Sequence, residues 1–217
     1  MKRLLLSLIL TTLPWLAAPA LAEDYQELKE PRPVEVAPGK VLVQQFLWHR
    51  CIHCYHLEPA VDEWLEKSKP DFVEFERVPV VWDEAQFAQS SYYGLAKVML
   101  EAGEIDASAL EYINTGLFSL SFVDKKPLIP ENVLPLFKPY GIADMDAFMA
   151  RLNSEAVEAQ RRRSFQLTRD YCLDGVPKFV VNGRYLVDLQ GLQGEHTPER
   201  LFATINRLAE QIAQAKP

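Results

Sequence analysis

The chain has 217 residues, 48% hydrophobic and 24% charged, with a formal net charge of −7. This composition excludes a disordered or collagen-like chain, and the length suits one domain or one domain carrying an insertion. The acidic balance argues against nucleic acid as a partner; the one basic run, Arg161-Arg162-Arg163, reads as a solvated helix face.

Residues 1–22 read as a cleaved signal peptide rather than as part of the fold. Lys2 and Arg3 form the positive start, LLLSLILTTLPWLAAP the apolar stretch, and Ala20-Leu21-Ala22 the small-x-small cleavage site. A membrane anchor is the competing reading. The apolar run is short for one, broken by Thr11, Thr12 and Pro14, and followed by Glu23-Asp24. Cleavage removes Lys2 and Arg3, so the mature chain carries a formal charge of −9. It would work in an oxidising compartment, where disulfides persist.

Residues 23–32 are polar and read as mobile, and Val34-Glu35-Val36 as a short strand ended by Pro38-Gly39. The run from Lys40 to Trp48 predicts a buried strand. A helix follows from Cys51 to about Lys67, with Leu57, Val61, Trp64 and Leu65 on one side and Pro59 expected to kink it. Phe72 to Val78 alternates like a strand, completing a β–α–β unit. Five helices are predicted next: Asp83–Gly103, Ile105–Phe118, Pro130–Tyr140, Asp144–Leu152 and Ser154–Tyr171, the last with Ser154 as N-cap. Lys178 to Val187 reads as a hairpin around Asn182-Gly183. Thr197-Pro198-Glu199 opens a final helix. This order predicts an α/β, thioredoxin-like fold with a helical-domain insertion. Residues 23–82 and 172–217 would form the thioredoxin-like domain and 83–171 the inserted helical domain.

The stretch HRCIHCYH, residues 49–56, holds three of the four histidines and two of the three cysteines. Haem attachment needs CxxCH, and Tyr55 follows Cys54. Zinc or copper binding by Cys51, Cys54, His49, His53 and His56 is the alternative kept open. Against it, His53 does not share the helical face of Cys51, and no second ligand cluster lies elsewhere. Thiol redox chemistry fits better. At a helix N-terminus, Cys51 would face unpaired backbone N–H groups and the positive end of the dipole. His53, Arg50 and His49 would add positive field, lowering its pKa, while Cys54, one turn deeper, would be buried with a higher pKa. Cys51 would then form the mixed disulfide and Cys54 close the ring. A stabilised thiolate favours the reduced form, so the disulfide is readily donated. Gly175-Val176-Pro177 is expected to complete the site, with a cis peptide before Pro177 setting the loop against the cysteines and Val176 free to pair with an extended client. Cys172 reads as a small buried apolar residue, or as a third redox thiol.

WHRCIHCYHLEP, followed far downstream by DGVPKFVVNGRYLVD, resembles the DsbA family of bacterial periplasmic thiol:disulfide oxidoreductases over nearly the whole mature chain. The resemblance implies disulfide donation from Cys51–Cys54 to reduced secreted proteins, with no cofactor or metal beyond that disulfide. It also implies a peptide groove beside Cys51 bordered by Val176, Arg50 and His49, and reoxidation by a DsbB-like, quinone-coupled membrane protein. A monomer is expected. An isomerase or reductase of the same fold is the runner-up; only residues 23–32 precede the first expected strand, too few for the dimerisation domain isomerases usually carry. Three positions depart from the family pattern. Ile52 stands where Pro is common, and Gln45 where a buried acid often helps move the proton of the second thiol. His49-Arg50 replaces an apolar or aromatic pair, giving the rim of Cys51 a more basic character.

Overall fold

The structure, a computed structural model, describes residues 24–215. The expected signal peptide lies outside the described residues. Among the described residues no helix is long and apolar enough to cross a membrane.

Five strands form one mixed sheet in the order β1-β5-β4-β2-β3: β1 Gln26–Glu27, β2 Val41–Leu47, β3 Val73–Pro79, β4 Lys178–Val181 and β5 Tyr185–Val187. The pair β2–β3 is parallel and the other pairs are antiparallel. Helix α1, Ile52–Lys67, makes the crossover between β2 and β3 and runs unbroken through Pro59. Helices α2 Glu84–Glu101, α3 Ala107–Phe122, α4 Pro130–Phe137, α5 Met145–Leu152 and α6 Glu155–Asp170 lie between β3 and β4 in sequence, and α7 Pro198–Ala215 closes the chain. The architecture is thioredoxin-like with a helical insertion.

Strand β2 is buried along its whole length, as expected of a central strand covered on both faces. Its alternate residues serve different layers. Val41 and Val43 face α1 and α7, packing with Leu57, Trp64, Phe179, Leu201 and Ile205. Phe46 joins Val78, Val180 and Tyr171 on the opposite face. The helices have a core of their own around Met99, Ile113, Leu117, Phe137 and Phe148. Asp83, Asp106 and Asp144 cap α2, α3 and α5, and Ser154 caps α6 as expected, each accepting from a backbone N–H three residues on.

Two expectations are corrected. Val34–Val36 forms no strand; the sheet edge is β1, within the segment expected to be mobile. Pro31 and Pro33 precede that stretch and supply no N–H, and Arg32 N–H between them donates to Gly183 O at 2.8 Å. That approach depends on Gly183, whose φ is +65° and where a Cβ would lie 2.1 Å from the Arg32 carbonyl oxygen. Cys172 is exposed rather than buried, with φ +50° in the turn after α6. The left-handed turn that ends the helix carries its side chain outward.

Candidate active site

Cys51 is the N-cap of α1, with extended backbone (φ −91°, ψ 116°) and its N–H donating to Trp48 O at 2.8 Å. Most other helices are capped by an Asp, Ser or Thr oxygen. Here the capping position holds a sulfur, and no side chain makes a full capping bond. The helix start is therefore left for the thiolate. Cys51 is partly exposed, and its pKa is drawn down to about 6. The Cys54 thiol, which donates to the Cys51 sulfur, is the largest cause; burial opposes it, and the backbone N–H groups of Cys54 and His53 and the His53 charge add to the lowering. Cys54 is fully buried among Leu47 and Phe118, with Tyr55, Phe122 and Val176 packed around them. Burial pushes its thiol strongly up, and the interaction with Cys51 pushes the same way. One thiol is reachable and acidic, the other sealed and protonated.

The Val176–Pro177 peptide is cis, and Val176 O accepts from the Cys51 thiol at 3.5 Å. The loop therefore meets the helix start, as expected. A groove of about 430 Å³ runs beside them, lined among others by His53, His56, Leu57, Val176, Pro177 and Lys178. His53 and Arg50 are both exposed.

His49 is placed differently from the expectation. It is 3% exposed, packed against Phe118 and Tyr93, and within 3.0 Å of Asn114 Oδ1 through Nε2. Burial lowers its pKa to about 4; the Asn114 bond opposes this and the Arg77 charge reinforces it. It is neutral near pH 7 and lies under the loop, so it neither charges nor lines the rim of Cys51. The Cys/His cluster does not gather as a ligand set either. Among the described residues, the metal-ligating atoms that lie close enough to share an ion belong to Glu58, Asp62 and Glu111, and Arg77 already pairs with all three.

A family model described as the DSBA-like thioredoxin domain matches residues 43–202. The chain belongs to this family. It is 32% identical over 197 residues to a thiol:disulfide interchange protein DsbA of Azotobacter vinelandii, covering 90% of this chain and 86% of that protein. It is 31% identical over 170 residues to the DsbA of Burkholderia cepacia, covering 78% and 76%. The crystal structure of Pseudomonas aeruginosa DsbA superposes with a TM-score of 0.69 at 28% identity, over 89% of this chain and 95% of that one.

Within this DsbA-like frame, the sequence reading missed the group beneath the cysteines. Glu58 is 8% exposed on the inward face of α1, one turn after Cys54. Gln45 and Arg77 are register partners on β2 and β3, and both point at it. Gln45 Nε2 donates to Glu58 Oε1 at 2.7 Å, and Arg77 Nη2 lies 3.1 Å from Oε2. Asn114 Nδ2, from α3, donates to Oε2 at 2.9 Å. Burial raises the Glu58 pKa; Arg77, Gln45 and Asn114 oppose the rise. The available signal was the spacing of Cys54 and Glu58 on one helix face.

Proposed function

We propose that this chain is a periplasmic thiol:disulfide oxidoreductase that donates its Cys51–Cys54 disulfide to reduced secreted proteins. The observation that carries the reading is the asymmetry of the two thiols: Cys51 at the open helix start with its pKa near 6, Cys54 buried with its pKa pushed up. A thiolate held that far below the ordinary thiol range stabilises the reduced form, and a protein so stabilised oxidises others.

A client thiolate attacks Cys51 Sγ; the Cys51–Cys54 bond breaks, and its electron pair passes to Cys54 Sγ. A second client thiolate then attacks the client sulfur of the mixed disulfide. The client leaves oxidised by two electrons, with Cys51 as a thiolate and Cys54 as a thiol that has taken up one of the two protons shed by the client thiols. His53 supports the Cys51 thiolate. Val176 and Pro177 border the site where the client lies extended, and exposed Arg50 adds positive charge at its edge. A disulfide donor of the DsbB type, coupled to quinone in the membrane, restores the disulfide. The chain acts as a monomer with no cofactor beyond the cysteine pair. The division into a thioredoxin-like domain of residues 23–82 and 172–217 and an inserted helical domain of residues 83–171 is proposed on the same footing.

The test is the reduction potential of Cys51–Cys54, measured by equilibration with glutathione buffers in a Cys172→Ser chain. A value more oxidising than the glutathione pool supports disulfide donation. A value near that of thioredoxin assigns the protein to reduction or isomerisation.

A further inference from the structure

The chain passes between the sheet and the helical block twice, through residues 80–83 from β3 into α2 and through residues 171–177 from α6 back to β4. The two passages are tied together. Val81 N–H donates to Thr168 Oγ1 at 3.1 Å, and the Trp82 indole N–H donates to the Leu173 carbonyl oxygen at 2.7 Å. Leu173 N–H donates in turn to Thr168 O at 3.0 Å, so both main-chain groups of Leu173 are held. Beyond it that hold stops. Among the described residues, the N–H groups of Asp174, Gly175 and Val176 meet no main-chain acceptor, and nothing lies within 4 Å of where a Gly175 Cβ would stand. The Asp174 carboxylate reaches Lys178, which ties the loop only to its own strand. Leu173 is therefore the last point fixed to the helical block before Val176.

Trp82 can serve as that anchor because its own main chain is fixed. Asp83 caps α2 by accepting from Gln86 N–H at 2.8 Å, and Gln86 Oε1 accepts from Trp82 N–H at 2.7 Å. The ring is 41% exposed, so it gains less from burial than a core tryptophan does, and its N–H is the group that crosses between the passages. The other half of the redox site is held from the same helix. Trp48 Nε1–H donates to Gln89 Oε1 of α2 at 3.0 Å, and the Trp48 carbonyl accepts the Cys51 N–H at 2.8 Å. Cys51 thus hangs from α2 through Trp48 and Gln89, and Val176 hangs from its start through Leu173 and Trp82. The Cys51 sulfur and the Val176 carbonyl oxygen meet across the space between, at 3.5 Å.

We propose that Trp82 and Gln89 are positioning residues for client exchange: together they set the gap between Cys51 and Val176 against which an extended client lies. The inference rests on the thiol exchange proposed above. A client segment laid along Val176 presents its sulfur to Cys51 only when the two halves stand at one separation, and a misplacement of about 1 Å is enough to cost rate. A small thiol has no main chain to lay along Val176 and reaches Cys51 with far less dependence on that separation. The two hydrogen bonds therefore matter more to a peptide than to a small dithiol.

The test compares two reductants of the oxidised chain, a peptide carrying two cysteines and dithiothreitol, with Cys172→Ser throughout so that one cysteine pair reacts. The quantity read is the ratio of the peptide rate constant to the dithiothreitol rate constant. Trp82→Phe keeps an aromatic ring and removes the N–H; Gln89→Leu keeps the bulk and removes the acceptor. Each is expected to lower the ratio about fivefold, the weight of one net hydrogen bond. The double variant is expected to lower it by less than the product of the two, because both release the same gap. Gln89→Leu carries the test should Trp82→Phe not fold. Equal losses with both reductants place the effect on the cysteine pair or on the fold at large and overturn the proposal, as does an unchanged or raised ratio. A full product in the double variant shows two independent supports and overturns the shared gap. If the parent chain passes its disulfide to neither reductant, the thiol-exchange reading falls, and this inference falls with it. If the parent chain passes it to both and the ratio ignores Trp82 and Gln89, this inference falls alone.

Discussion

The Cys51 thiol faces the carbonyl oxygen of Val176 at 3.5 Å, across 125 residues of sequence. The contact joins the start of α1 to the loop before β4, so a chain lying along Val176 reaches the accessible sulfur of the pair. Cys54 is shielded from any client. With Cys172→Ser in both variants, Cys54→Ser is therefore expected to exchange with a peptide disulfide and accumulate a long-lived mixed disulfide at Cys51, detected by intact mass. Cys51→Ser should form none, and a Cys54 adduct in that variant would refute the assignment of roles.

The same asymmetry fixes a pH dependence. The folded pKa of Cys51, about 6, lies below the unfolded value near 9. A depressed acid adds stability that is fully present above the unfolded pKa and lost as pH falls through the folded one. The disulfide form has no thiol to titrate at this pair. The melting temperature of the reduced chain relative to the oxidised chain should therefore be level below pH 6, rise from pH 6 toward pH 9, and fall above it, where the unfolded Cys54 thiol ionises and the buried one does not. A flat difference over that window would mean the thiolate is not stabilised by the fold.

Two histidines near Cys51 should behave oppositely. His53 is exposed and acts on the sulfur directly, through its charge and backbone N–H. His49 is buried, and its pKa of about 4 leaves it uncharged near neutrality. His53→Ala is expected to raise the pKa of Cys51, read from thiolate absorbance. His49→Phe removes no charge and should leave that titration in place. It strands the Asn114 oxygen, costing about 1–3 kcal/mol of stability. Equal shifts in both variants would contradict this division.

The contrast also shows where the sequence was legible. The β–α–β unit, the Asn182-Gly183 hairpin and the Ser154 cap rest on local chemistry, which a short window contains. The place of Cys51 at a helix start was legible for the same reason, because a helix start is a local feature. His49 was not: whether it charges the rim or hides beneath it depends on Asn114 and Phe118, more than sixty residues away. Gln45 read as a lost acid because its partner, Glu58, lies on another element. Cys172 read as buried from residue type, and a left-handed turn decided otherwise.

The sheet and the helical block share a second, half-buried acid. Glu76 and Gln44, neighbours in the β2–β3 register, point away from α1. Glu76 accepts from Gln44 at 3.0 Å, pairs with Lys97 of α2, and takes two bonds from Arg163 of α6 at 2.7 and 2.8 Å. Arg163 is thus a clamp rather than merely a solvated charge. Burial alone would raise the Glu76 carboxyl; Lys97 and Arg163 prevail and hold it at about 2. Its contribution is therefore present above the ordinary carboxylate range near 4.5 and disappears as pH falls toward 2. Glu76→Gln is expected to cost about 2–4 kcal/mol at pH 7, because Lys97 is left uncompensated, and to flatten the loss of stability between pH 5 and pH 2. Retention of the full acid sensitivity would show that other carboxylates carry it.

Cys172 offers the simplest check on the surface chemistry. In the oxidised chain Cys51 and Cys54 are consumed by their bond, which leaves one thiol. That thiol is exposed in the turn after α6, beside Arg169 and Lys178 in a shallow groove. It should react with an alkylating reagent in the native state, adding one label per chain at the rate of an accessible thiol. A buried apolar cysteine would label only on unfolding. Mass spectrometry of the native oxidised protein separates the two, with Cys172→Ser as the unlabelled control. Slow labelling that speeds up in denaturant would return Cys172 to the core and overturn the turn geometry described here.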